Sequence, residues 1–313
     1  MLGGAHCEFW INIFSGVFAD NIFWQCYGTV NVIVRVHAKD ASVNDCAIVV
    51  PIYKLPLLES EQRVLKRNLR TLSDWPVIFV LPKRLLSAWQ QSKDIESLGQ
   101  TFYFPDRFFA SIDGYNKLLL DIKFYLRFHA FKNILICQLD AVVVRDELRQ
   151  WCDEEYSYIG APWFVGYETP TLPYQFLGVG NGGFSLRRVA HFIRLLAIPR
   201  VIRTLGGPAT LIGSTKWIFF LRKIRGPIVQ EDVFWSLMKD SYPWFTTPEP
   251  QKALNFSFEV APRHLFELNG RRMPFGGHAW EKYDLDFWLE QLPELIPAVT
   301  AITKAPQRPN PLP

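Results

Sequence analysis

Between Cys46 and Asp140, short continuous apolar runs alternate with longer stretches in which charged and apolar residues recur at helical spacing. Ala47-Ile-Val-Val-Pro-Ile52 predicts a buried strand, because a brief β-rich run bounded by turn residues suits a sheet covered on both faces. Leu58 to Leu72 predicts a helix, Pro76 to Leu81 a second buried strand and Thr101 to Phe104 a third. Tyr115 to Phe128 predicts a further helix, and Asn133 to Leu139 a strand that runs straight into Asp140. This rhythm predicts an α/β domain with a mostly parallel central sheet flanked by helices.

The second half is less regular. Tyr156 to Ile159 reads as a strand, Gly178-Val-Gly-Asn-Gly-Gly183 as a glycine-rich loop, Leu186 to Leu196 as a helix, and Glu231 to Lys239 as another. Residues 199–230 contain six Lys and Arg, the apolar run Trp217-Ile-Phe-Phe-Leu221, and no acid before Glu231. That segment is either an insertion packed on the domain with a solvated basic face, or a surface for an anionic membrane or acceptor. The expected organisation is an unassigned segment 1–44, a domain over 45–292 carrying the insertion 199–230, and a proline-rich tail 293–313 expected to be disordered.

Composition narrows the class. The chain has 313 residues, 49% hydrophobic and 20% charged, which is globular composition with a sizeable core. A formal charge of +4 is too mild to predict nucleic-acid binding. The five cysteines form no C-x-x-C pair, which argues against a zinc site or disulfide framework and makes a reducing cytoplasm the expected location. The most apolar early stretch, Phe9 to Val34, is broken by Asn12, Asp20, Asn21, Gln25 and Asn31, and it lacks a basic leader, so it predicts neither a membrane span nor a signal peptide.

Several motifs can be set aside. The glycines at 178–183 are followed by no acid at the spacing a dinucleotide ribose requires. Gly213-Ser-Thr-Lys216 has no Walker frame, and neither G-x-S-x-G nor H-E-x-x-H occurs. The informative constellation is Ile134-Leu-Ile-Cys-Gln-Leu-Asp140-Ala-Val-Val-Val-Arg-Asp146. A carboxylate directly after a buried strand lies at the carboxyl end of the sheet, where α/β proteins place ligands. It is costly to bury unless paired or metal-bound, although an aspartate in such a turn can also be purely structural.

A helix carrying Asn116-Lys117, then a strand, then Asp140-Ala-Val-Val-Val-Arg-Asp146 resembles nucleotide-sugar-dependent glycosyltransferases of the GT-A fold, such as the glycogenin type. Their D-x-D motif reads Gln138-Leu139-Asp140 here, with a neutral carbonyl ligand in place of the first acid. Ser157-Tyr-Ile-Gly-Ala-Pro-Trp163, Gly180-Asn-Gly-Gly-Phe-Ser-Leu-Arg187, Gln230-Glu-Asp-Val-Phe-Trp235 and Pro274-Phe-Gly-Gly-His-Ala-Trp280 extend the likeness. Together they resemble an uncharacterised glycosyltransferase-like family linked to bacterial surface-polysaccharide synthesis.

The resemblance implies transfer of a sugar from a nucleoside-diphosphate donor to a saccharide or lipid-linked acceptor, with no nucleic-acid partner. It implies Mn²⁺ or Mg²⁺ held by Asp140 and His278, although His278 also reads as an ordinary loop histidine. Pro51, Tyr53, Lys54, Lys117 and Gln138 are the expected donor-binding residues, and Asn181, Gly182, Gly183 and Trp163 the expected sugar loop. Glu231 and Asp232 are either a helix cap or the acceptor's general base. The rivals are a degenerate binder without turnover, favoured by Gln138, and a sugar nucleotidyltransferase. The latter is disfavoured by the lack of a basic glycine-rich loop after the first strand. The expected place is the cytoplasm, at most in peripheral contact with an anionic membrane.

Overall fold

The computed structural model describes residues 23–27, 30–34, 44–204 and 230–298. Most of the 1–44 segment, the basic run of the 199–230 insertion and the tail beyond 298 lie outside the described residues. The chain divides into two units, 1–42 and 43–313. In the first, β1 (Phe23–Tyr27) and β2 (Val30–Val34) form an antiparallel pair. No helix among the described residues is long and apolar enough to cross a membrane.

The second unit is built on a six-stranded sheet with the order β5-β4-β3-β6-β11-β8. Its strands are β3 (Asn44–Pro51), β4 (Val77–Pro82), β5 (Gln100–Phe104), β6 (Phe131–Cys137), β8 (Tyr158–Ile159) and β11 (Phe184–Arg188). The first four are parallel, whereas β11 runs antiparallel to both β6 and β8. The continuous apolar runs arise because both faces are covered. Ile48 and Val50 join Phe79, Leu135 and Trp151 on one side, while Ala47 and Val49 join Ile136, Tyr125 and Trp235 on the other. Aromatic rings pack within this core; Phe192 packs on Trp235 at 4.4 Å and Tyr125 on Phe192 at 4.7 Å between centroids.

Among the described residues the helices are α1 (Glu59–Thr71), α2 (Leu86–Gln91), α3 (Lys93–Glu96), α4 (Ile112–Leu119), α5 (Ile122–Leu126), α6 (Leu148–Asp153), α7 (Val189–Thr204), α8 (Glu231–Ser241), α9 (Pro250–Ala253), α10 (Pro262–Leu268) and α11 (Leu285–Gln291). The helix expected over Tyr115 to Phe128 is two helices. Asp121 caps α5 by accepting the Lys123 N–H at 2.9 Å, an alternative to continuing α4. The helix expected from Leu186 starts only at Val189, because Phe184–Arg188 is claimed by pairing with β6.

Two small sheets complete the unit. A hairpin of β9 (Ala161–Phe164) and β10 (Phe176–Gly180) includes part of the expected glycine loop. A three-stranded sheet, ordered β12-β13-β7, joins β7 (Val142–Val143), β12 (Ser257–Phe258) and β13 (Gly276–Gly277). β13 pairs parallel with β12 and antiparallel with β7.

Candidate active site

In the order β4-β3-β6, β3 connects outward to β4 on one side while β6 lies on the other, so the crevice between the carboxyl ends of β3 and β6 is a topological switch point. Pro51 and Tyr53 leave β3 there, and Gln138 and Asp140 leave β6. The small sheet then sets the opposite wall. Because β13 pairs with β7, just after Asp140, and with β12, just before Glu259, the residue leaving β13 is held between them, and that residue is His278.

His278 is therefore the hub. Its Nε2 lies 3.3 Å from both Asp140 Oδ1 and Gln138 Oε1, and its Nδ1 lies 2.9 Å from Glu259 Oε1. Burial alone would lower the imidazole pKa, but Asp140 and then Glu259 outweigh it and hold it at about 10. Burial conversely raises the Asp140 pKa, and His278 reverses this to a net lowering. Asp140 Oδ1 is shut off from solvent with no hydrogen-bond partner in good geometry, although the side chain as a whole is 47% exposed.

The loop after β10 closes over this cluster. Asn181 is buried at φ 153°, a conformation that disfavours a side chain, and is locked from all sides. Its Oδ1 accepts the Gly183 and Phe184 N–H groups, its carbonyl accepts the Tyr158 hydroxyl at 2.8 Å, and its N–H donates to the same Tyr158 oxygen. The Gln138 N–H donates to the Gly183 carbonyl at 2.9 Å, tying the loop to the β6 exit. A methyl group at Gly183 would overlap the His278 ring, and one at Gly182 would come within 2.6 Å of Glu231 Oε1. Both glycines are thus fixed by close approach.

Glu231 and Asp232 separate cleanly. Glu231 is buried and accepts from both terminal nitrogens of fully buried Arg187, at 2.9 and 3.1 Å. Arg187 also donates to the Tyr125 hydroxyl and to Ser185 Oγ. Asp232 accepts the Val233 N–H at 2.8 Å. Burial, and then the charge of Glu231, raise its pKa from 3.8 to about 7, with Glu259 adding to the rise.

The remaining sequence-predicted residues are placed unevenly. Tyr53 follows β3 out toward the crevice, where burial, and then the charge on Asp140, push its hydroxyl above its ordinary pKa. Lys54 is paired to Glu61 at 3.1 Å. Lys117 is exposed on α4, which instead turns Tyr115 to Gln138 and Asn116 to the Glu231 N–H. Trp163 is 8% exposed, packed where a Gly180 side chain would stand, so its face is no open platform for a sugar. Three residues carry the site without having been picked out as site residues: Glu259, Arg187 and Tyr115.

Among the described residues, no group of three or more His, Cys, Asp and Glu side chains is arranged around a common point. Asp140, His278 and the Gln138 carbonyl nevertheless converge, one carboxylate oxygen is buried without a hydrogen bond, and the imidazole is backed by a carboxylate. These features suit a cation completed by ligand oxygens.

The galactosyltransferase LgtC in complex with donor and acceptor sugar analogues is similar at 14% identity over 83% of this chain and 98% of that chain, with a TM-score of 0.47. The apo form of the glycosyltransferase GlyE of Streptococcus pneumoniae TIGR4 is similar at 13% identity over 83% of this chain and 64% of that chain, with a TM-score of 0.39. A 4-diphosphocytidyl-2C-methyl-D-erythritol synthase from Anaerococcus prevotii DSM 20548 is similar at 9% identity over 52% of this chain and 78% of that one, with a TM-score of 0.31. No curated protein matches the sequence. Residues 99–278, more than half of the chain and the segment holding Gln138, Asp140, Asn181, Glu259 and His278, match a family of proteins of unknown function, DUF5672, and the chain belongs to that family.

Proposed function

We propose that the protein is a GT-A-like glycosyltransferase that moves a sugar from a nucleoside-diphosphate donor to a hydroxyl of a saccharide or lipid-linked acceptor. The observation that carries this reading is the convergence of Gln138, Asp140 and His278 with the Asn181–Gly183 loop at the switch point of the sheet. A sugar diphosphate needs a cationic anchor and close backbone approach, and both would be met here by a cation at Asp140 and His278 and by the glycines of the loop.

Asp140 and His278 would hold Mn²⁺ or Mg²⁺, with Gln138 as a neutral third contact. When bound, the cation neutralises charge on the departing diphosphate. Tyr53 and Pro51 would line the nucleotide side of the crevice, and Gly182 and Gly183 would let the sugar lie against the main chain. Asp232 would take the proton from the acceptor hydroxyl. Unlike Glu231 it is not paired with Arg187, and a pKa of about 7 suits a base at neutral pH. Glu231, engaged by Arg187, would serve to fix the start of α8.

A second reading, binding of a nucleotide or glycan without turnover, is favoured by Gln138 standing where the resembled motif has an acid. Release of nucleoside diphosphate from a panel of nucleotide sugars, each with Mn²⁺, with Mg²⁺ and with chelator, separates the two. Metal-dependent release with one donor supports the transferase. Tight binding of a donor with no release under any condition supports the binder.

A further inference from the structure

We propose that Glu259 is a positioning residue that fixes the ring orientation of His278, taking the Nδ1–H and so holding Nε2 toward Asp140 and Gln138. The inference rests on the reading of the crevice given above, and it assigns a role to a residue outside the motifs that carry that reading.

The geometry begins in the backbone. Ser257 and Phe258 pair in parallel register with Gly276 and Gly277, so Glu259 and His278 are the first residues beyond paired strand ends and emerge side by side. The His278 N–H donates to the Phe258 carbonyl at 3.0 Å, which closes the register at that point. Both side chains are largely buried, 15% exposed for His278 and 16% for Glu259, and their atoms meet at 2.9 Å. A carboxylate can only accept, so the proton shared with it sits on His278 Nδ1. Asn181 Nδ2 also approaches Nδ1, at 3.2 Å, but the Asn181 oxygen is taken up by Gly183 and Phe184, so only its amide donors face the ring. Two donors cannot satisfy each other, so the Glu259 carboxylate decides which way the ring faces. With Nδ1 turned to Glu259, Nε2 is the nitrogen that faces Asp140 and Gln138. A carboxylate behind a ligating histidine raises ligand basicity and restricts ring rotation, and losing such a partner typically lowers metal affinity about 10- to 100-fold.

The test uses the full chain with Glu259→Gln, Glu259→Ala and His278→Gln. Imidazole ¹⁵N spectra of the metal-free protein come first, with the His278 signals assigned by their loss in His278→Gln. The expected result is a slowly exchanging Nδ1–H in the parent protein that is kept in Glu259→Gln, where the amide oxygen still accepts, and lost in Glu259→Ala. An unchanged Nδ1–H in Glu259→Ala overturns the proposal whatever the crevice binds. Titration with Mn²⁺ alone then separates this idea from the reading beneath it. A parent protein that binds Mn²⁺ through His278, with affinity about 10-fold or more weaker in Glu259→Ala and largely restored in Glu259→Gln, supports both. Mn²⁺ affinity equal in the parent and Glu259→Ala overturns the positioning role alone. No Mn²⁺ binding by the parent contradicts the metal reading, while the ¹⁵N result still decides the role of Glu259.

Discussion

Glu231 gives both carboxylate oxygens to Arg187, whereas Asp232 beside it accepts one backbone N–H and keeps a pKa raised to about 7. The two acids should therefore fail in different ways. Glu231→Ala leaves a buried guanidinium without its partner and should cost about 3–5 kcal/mol of stability, seen as a large drop in melting temperature. Asp232→Ala should leave the fold intact and lower kcat about 10²-fold with donor affinity unchanged; equal turnover would return Asp232 to a capping role. Its pKa also fixes a sign. The folded state binds this proton more tightly than the unfolded chain, so the associated stability is present below pH 3.8 and is lost as pH rises through about 7. Asp232→Asn should accordingly flatten the decline in stability over that window and abolish the rise of kcat/KM near pH 7. A parent pH profile without a limb there would contradict the assignment of the base.

At the scale of elements, the site is assembled by strands too short to have a signature. The two-residue β7, β12 and β13 carry no periodicity, yet their pairing is what brings Asp140, Glu259 and His278 together. The residues flanked by longer signals were legible: Asp140 after the apolar β6, and the glycines of the 181–183 loop. Glu259 follows an unremarkable Ser257-Phe258 and had no such flag, and Arg187 lay in plain view in its motif with nothing to show it was buried. The break between α4 and α5 was missed because Asp121 acts as a local cap within an otherwise helical pattern. The contact between Gly183 and His278 makes this scale testable. Gly183→Ala should displace the His278 ring and weaken Mn²⁺-dependent donor binding at least tenfold, at an overpacking cost of about 1–3 kcal/mol. Donor binding equal to the parent's would show that the ring and loop are not coupled.

For the molecule as a whole, the parallel half of the sheet was readable because strand segments covered on both faces must be apolar, as Ala47–Val50 of β3, Val77–Leu81 of β4 and Ile134–Cys137 of β6 are. The antiparallel return of β11 was not, since Phe184–Arg188 is equally compatible with the start of a helix. The basic segment within 199–230 re-enters the chain at Gln230, immediately before the two acids. If it is a membrane surface, binding to anionic vesicles should be strong at low salt and fall steeply as salt rises, and no binding at low salt would refute that role. The central claim is a metal-dependent nucleotide-sugar site at Asp140. It is tested most directly by thermal unfolding with a panel of nucleotide sugars, with Mn²⁺ or with chelator, for the parent protein and Asp140→Asn. A ligand that binds only the folded state raises the melting temperature by mass action. The account predicts a rise with one donor that requires Mn²⁺ and disappears in Asp140→Asn; a rise that survives both chelation and the substitution, or no rise with any donor, would contradict it.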